Sequence, residues 1–232
     1  TLLMVELNNR NSLIRIYSRM VSCSFLVMTM MTPHKIESID GCLVSMCFVA
    51  FYLALCNAYQ DKKATGYVLW AFAAIGVASI VWIQILLFIP VLWVLTATNI
   101  LAMSLRTFVT SILGVIMPYW FLSAYYIYIG DIMPIVDHIA TIANFEPLFI
   151  YKNCSINDFL PLCFIILLAI TGSIHFLRTS YKDKIRTRMI YEMFITMSVA
   201  TIVLILLQPQ HANIATHLLI ISTAPLIGHF LA

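Results

Sequence analysis

Charge is what this sequence has least of. Of 232 residues only 13 are basic and 10 acidic, or 10% of the chain, where a soluble domain carries roughly 25%. Apolar residues make up 62%, against roughly 45–50% in such a domain, and the mean hydropathy is +0.97. So few charges cannot cover the surface of a water-soluble globule, which excludes a soluble enzyme, a disordered chain and a small disulfide-stapled secreted domain. The chain reads as an integral membrane protein.

Other signals are missing as well. The six cysteines, Cys23, Cys42, Cys47, Cys56, Cys154 and Cys163, have neither metal-ligand spacing nor a disulfide framework. Five lie in apolar runs, where Cys packs as a small hydrophobe, and only Cys154 falls in a polar loop. No short apolar stretch is followed by a small-residue cleavage site, so a signal peptide is not indicated. No ladder of carboxylates or histidines crosses the apolar runs, which counts against a proton-coupled pump. No motif points to a cofactor, a metal or nucleic acid. Thr1 to Leu7 resembles the tail of an earlier helix, and Leu218 to Ala232 still lies inside a hydrophobic run. The expectation is one transmembrane domain over residues 1–232, the ordered part of a longer protein.

What is there is a series of apolar runs. A helix needs about 20 apolar residues to cross a bilayer, and that ruler predicts an all-α, polytopic transmembrane bundle of about eight spans after an N-terminal helix stub. The spans are 13–31, 41–59, two within 66–101, then 107–129, 159–177, 189–207 and 214–231. The stretch Gly66–Leu101 is too long for one helix, since about 36 residues would reach roughly 54 Å. It is split near Ser79–Gln84 into a tight pair, with a re-entrant pair as the alternative. Alternate threading places eleven basic residues (10, 15, 19, 62, 63, 106, 178, 182, 184, 186 and 188) on one side and only Lys35 and Lys152 on the other. Lys and Arg collect on the cytoplasmic side of short loops, so the 178–188 loop is expected inside. Ala71, Ala74, Gly76 and Ala78 read as a close-packing surface, and Tyr119 to Tyr128 as an outer aromatic belt.

Candidate chemistry is confined to the two faces. Inside, Arg178, Lys182, Lys184, Arg186 and Arg188 read as a lipid-headgroup or partner-binding patch. Glu192, four residues from Arg188, reads as its i,i+4 partner rather than a proton relay. Outside, the loop 130–158 carries an interfacial helix over Pro134–Phe145, and holds Asp137 and His138. Glu37 and Asp40 come from the first outer loop. Carboxylates and histidines at the mouth of a bundle can act as a general base, which makes Glu37, Asp40, Asp137 and His138 the catalytic candidates, with solvated loop charges as the plainer explanation.

Two resemblances bear on these residues. The segment Leu7-Asn-Asn-Arg-Asn-Ser-Leu-Ile-Arg15, the pair Gly66–Leu101, and Arg106-Thr-Phe running to Gly114-Val-Ile-Met-Pro118-Tyr-Trp-Phe121 resemble an uncharacterised family of multi-spanning bacterial inner-membrane proteins over residues 7–128. That resemblance implies a location and no assigned activity. More loosely, Gly66, Gly76, Pro90, Gly114 and Pro118 resemble in their spacing the helix-pair region of polytopic glycosyltransferases that use lipid-linked sugars. Such enzymes place an acidic catalytic residue in an early extracytoplasmic loop, here the loop of Glu37 and Asp40, and often carry a soluble outer domain that is not in this sequence. The reading is an inner-membrane scaffold or accessory subunit of a cell-envelope complex, in contact with the bilayer and a membrane-protein partner. The alternatives are an enzyme using polyprenyl-phosphate sugars at the outer face and a small-molecule transporter.

Overall fold

Inside a bilayer the backbone must satisfy its own N–H and C=O groups, and a helix does so within one segment. The computed structural model, which describes residues 1–11, 13–14, 19–32, 38–143 and 156–232, follows that rule: the described residues are helical with short connections and no strand. In chain order the helices are α1 (Leu2–Asn11), α2 (Met20–Met30), α3 (Ile39–Asn57), α4 (Thr65–Val81), α5 (Ile89–Thr98), α6 (Leu105–Ile129), α7 (Met133–Ala140), α8 (Ile156–Thr179), α9 (Ile185–Leu207) and α10 (Ala212–Leu231). Five of them, α3, α6, α8, α9 and α10, are long and apolar enough to cross a membrane. The chain is a multi-pass membrane protein.

The remaining apolar helices are shorter than a full span. Within the expected first span, 13–31, the described residues include the 11-residue α2, and Leu13 and Ile14 are not helical. The sequence there carries Arg15 and Arg19, charges that an apolar span does not accommodate. The stretch 66–101 does break where expected: α4 stops at Trp82, whose backbone is extended (φ −139°, ψ 97°), and a 3-10 segment, Ile83–Phe88, leads into α5. Pro90, with no N–H to lose, sits at the start of α5.

By its contacts the chain divides into two compact units, one of Thr1–Ser45 with Pro147–Ala232 and one of Met46–Glu146. In the first, α10 is the central element, buried from Ala215 to Gly228 and packed on α2, α8 and α9. Small residues set those distances. A Cβ on Gly228 would lie 2.9 Å from a Val21 methyl, and one on Gly172 would lie 3.1 Å from Leu226 Cβ.

In the second unit, α4 and α6 run parallel and interlock through two glycines. A Cβ on Gly76 would stand 2.7 Å from the Val115 carbonyl oxygen, and one on Gly114 would stand 2.8 Å from that of Leu69. This is the close approach that small residues allow between membrane helices. The arm 83–98 returns the chain to the start of α4, where the Gln60 N–H donates to Ile100 O (2.8 Å) and Ser104 Oγ donates to Lys62 O (3.1 Å). Gln60 and Leu101 take left-handed backbone angles (φ 60° and 58°) to make this junction. Within its unit α6 leaves Trp120, Phe121, Tyr125 and Tyr128 exposed among the described residues, while Tyr119 turns inward to Ser79.

Candidate functional site

Among the described residues of the first unit, the closest ionisable pair forms where α8 and α10 end and α9 begins. Helix α8 closes with the Thr179 hydroxyl donating to His175 O (2.9 Å), and Ser180–Lys182 make one 3-10 turn. The Asp183 N–H then donates back to Ser180 O (3.1 Å). That turn holds the Asp183 carboxylate against the last turn of α10, where Oδ2 lies 3.0 Å from His229 Nε2. Both side chains are largely buried, 10% exposed for Asp183 and 16% for His229. Aromatic rings wall the imidazole: Tyr191 at 5.2 Å, Phe176 at 5.3 Å and His175 at 5.9 Å between centroids. Phe176 stacks on Tyr191 at 4.6 Å, and Phe230 meets His175 edge-on at 4.9 Å.

An imidazole oriented by a carboxylate is two-thirds of a nucleophile-activating triad. Among the described residues, however, no hydroxyl or thiol is hydrogen-bonded to the other nitrogen: Nδ1 of His229 and Nδ1 of His175 are both buried without a partner. What the arrangement does in this structure is mechanical. It pins the C-terminal end of α10 to the α8–α9 turn through a charge-assisted hydrogen bond.

The same end of the unit holds α1. Arg186 Nη2 donates to Asn11 Oδ1 (3.2 Å), Asn11 Nδ2 donates to Leu7 O (3.1 Å), and the Tyr191 hydroxyl reaches Leu13 O at 3.5 Å. Arg188 and Glu192 form the expected i,i+4 pair at 4.0 Å, nearly half exposed on both sides, a geometry worth little in water. Arg178 and Lys184 are exposed, and the Lys182 side chain lies outside the described residues.

The outer candidates have separate surroundings. Asp137 is exposed on α7, with no side-chain partner among the described residues. The neighbouring His138 turns the other way, its Nε2 3.0 Å from Ser79 O. Ser79 O is among the last carbonyls of α4, which have no partner within the helix, so His138 closes that helix end. Ser79 Oγ is in turn bonded to Gly76 O (2.7 Å) and to the Tyr119 hydroxyl (2.9 Å). Asp40 is exposed in the first turn of α3, where a carboxylate complements the helix dipole. Glu37 lies outside the described residues. The interfacial helix expected over 134–145 is described as α7 and one 3-10 turn to Ala143, with Met133, Val136 and Ile139 exposed along one side. Among the described residues no three His, Cys, Asp or Glu side chains gather as a metal-ligand set.

His175, Tyr191 and His229 were not picked out in the sequence. The signal for them was topological, because His175 and His229 each sit near the end of an apolar run, on the side to which threading assigns Asp183. In comparisons with protein-family models, curated proteins and solved structures, nothing matches this chain.

Proposed function

We propose that this protein is a non-catalytic membrane scaffold or accessory subunit of a cell-envelope complex. In this reading it sits in a bacterial inner membrane with about eight passes, as one transmembrane domain, and its 178–188 loop is cytoplasmic. One observation carries the reading. Charged and histidine side chains that reach between elements do so at helix ends, in Asp183–His229, Arg186–Asn11 and His138–Ser79, as does the Ser104–Lys62 contact, while the contacts within helices, Trp93–Ser111 and Thr223–Met28, involve uncharged groups. Polar groups deeper in the first unit are also spent internally. Thr201, Thr216 and Thr223 return their hydroxyl protons to their own helices, rather than leaving donors for a transported solute. Both resemblances noted in the sequence stay with this proposal, the bacterial inner-membrane family for the location and the glycosyltransferases for the rival.

Native mass spectrometry of the full-length chain, gently extracted from its own membranes, tests the reading. A stoichiometric protein partner is expected, and the same partner should crosslink in intact membranes. A lone chain that retains a polyprenyl-phosphate lipid would overturn it in favour of the enzyme. In that case Glu37→Gln, Asp40→Asn or Asp137→Asn should abolish envelope glycan transfer at unchanged protein level.

A further inference from the structure

Helix α7 is tied at both ends to the ends of other helices. Helix α6 is long and apolar enough to cross the bilayer, and its 25 residues rise about 37 Å. Its last turn therefore reaches the edge of a hydrocarbon layer roughly 30 Å thick. Gly130, in the left-handed region (φ 85°), ends it, its N–H donating to Tyr126 O and Ile127 O. The Asp131 carboxylate then accepts from the Met133 N–H (3.1 Å) at the start of α7. Residues 130–132 allow a separation of no more than about 14 Å between the two helices' ends. On its far side α7 holds Ser79 O, near the close of α4, through His138, and the 3-10 turn Thr141–Ala143 meets the segment Ile83–Phe88. So tethered, α7 cannot leave the edge of the membrane for bulk water.

The helix also sorts its side chains by direction. Successive residues turn about 100°, which puts Pro134, Ile135 and His138 on one side, and these are the half-buried ones. Ile132 at the N-cap, Met133, Val136 and Ile139 are exposed on the other. Asp137, exposed as well, flanks that stripe, about 100° from Val136 and about 160° from Ile139. The stripe continues the exposed end of α6, where Tyr125, Ile127, Tyr128 and Ile129 close the span.

Charge identifies the kind of surface that covers it. Interfacial helices that hold anionic lipid carry Lys and Arg on their polar side. From Thr107 to Tyr151 the sequence has neither, and Asp131 and Asp137 stand around the stripe instead. Headgroups of like sign are repelled, so burial of apolar area is the attraction that remains. We infer that the exposed side of α7 inserts into the bilayer at the acyl–glycerol boundary of lipid without net charge, with Val136 and Ile139 in the apolar layer and Asp137 among the headgroups. The inference is independent of the subunit reading.

Spin labels on single cysteines test it in the full-length chain, without native cysteines, reconstituted in dioleoylphosphatidylcholine vesicles. Val136→Cys, Asp137→Cys and Ile139→Cys all replace exposed side chains, so no packed group is displaced. Power saturation with oxygen, which concentrates in the acyl layer, and with a neutral nickel chelate, which stays in water, reads the depth of each label. Oxygen should be the better relaxant at 136 and 139, and the order should reverse at 137. Adding dioleoylphosphatidylglycerol to the vesicles should leave these depths unchanged. Better relaxation by the chelate at all three positions would put α7 in water and overturn the insertion. Poor access of both relaxants at 136 and 139 would mean that protein covers the stripe and would overturn lipid as its occupant. Insertion seen only with phosphatidylglycerol present would overturn the preference for uncharged lipid.

Discussion

At His229 the two ring nitrogens have different fates: Nε2 meets Asp183, and Nδ1 has no hydrogen-bond partner among the described residues. Truncating Asp183 to Ala leaves the Nε2 side of a largely buried ring unsatisfied, a loss of about 1–3 kcal/mol. His229→Phe keeps the contacts with Tyr191 and Phe176 but strands the carboxylate, with a similar cost. If the pair is a fastener, the double variant costs less than the sum of the two, by about 1 kcal/mol of coupling. Unfolding midpoints in detergent check this, and strictly additive losses would mean that the two groups do not act on each other. This site was hard to read in the sequence for a physical reason. The 178–188 loop advertises its five bases, whereas the residues that meet there come from positions about 46 apart. The opposite error attends Asp137 and His138. They are adjacent in sequence, but neighbours on a helix point about 100° apart, and here one faces outward while the other closes the end of α4.

Elements were far more legible than sites, because a long apolar run has one stable answer in a membrane. The expected spans at 41–59, 107–129, 159–177, 189–207 and 214–231 appear as α3, α6, α8, α9 and α10 with ends shifted by a few residues. The break near 79–84 was legible from length alone. What hydropathy could not show is how α4 finds α6. That contact is set by backbone approach at Gly76 and Gly114, where an added Cβ would face a carbonyl oxygen that cannot swing away. Gly76→Ala and Gly114→Ala are therefore expected to destabilise by about 1–3 kcal/mol each. Gly66, with open space around it, is the internal control, since Gly66→Ala should be neutral or slightly stabilising. Thermal midpoints of the three variants in one detergent decide it. If Gly66→Ala fell as far as the other two, the cost would come from backbone conformation rather than from helix approach.

For the whole molecule, the open question of consequence is whether the pair α4 and 83–98 crosses the membrane or dips in and returns. Loop sidedness cannot separate these, because residues 60–63 and 100–106 share a side in both cases, as their hydrogen bonds require. The position of the tip can. Seventeen helical residues in α4 rise about 25 Å, close to the roughly 30 Å of a hydrocarbon core. The end of α4 lies against Tyr119 in the second half of α6 and against His138 on α7, the short helix that follows α6. A helix that ends against the connection beyond a 25-residue span has reached the far interface, so the crossing pair is the geometry expected. In a background without native cysteines, Val81→Cys should then react with a membrane-impermeant maleimide from the same side as Asp131→Cys, and Lys63→Cys and Tyr181→Cys from the opposite side. Protection of Val81→Cys from both sides, with the other three labelling as stated, would mean a re-entrant pair. The number of passes would fall by two while the basic loop stayed on the same side as Lys63.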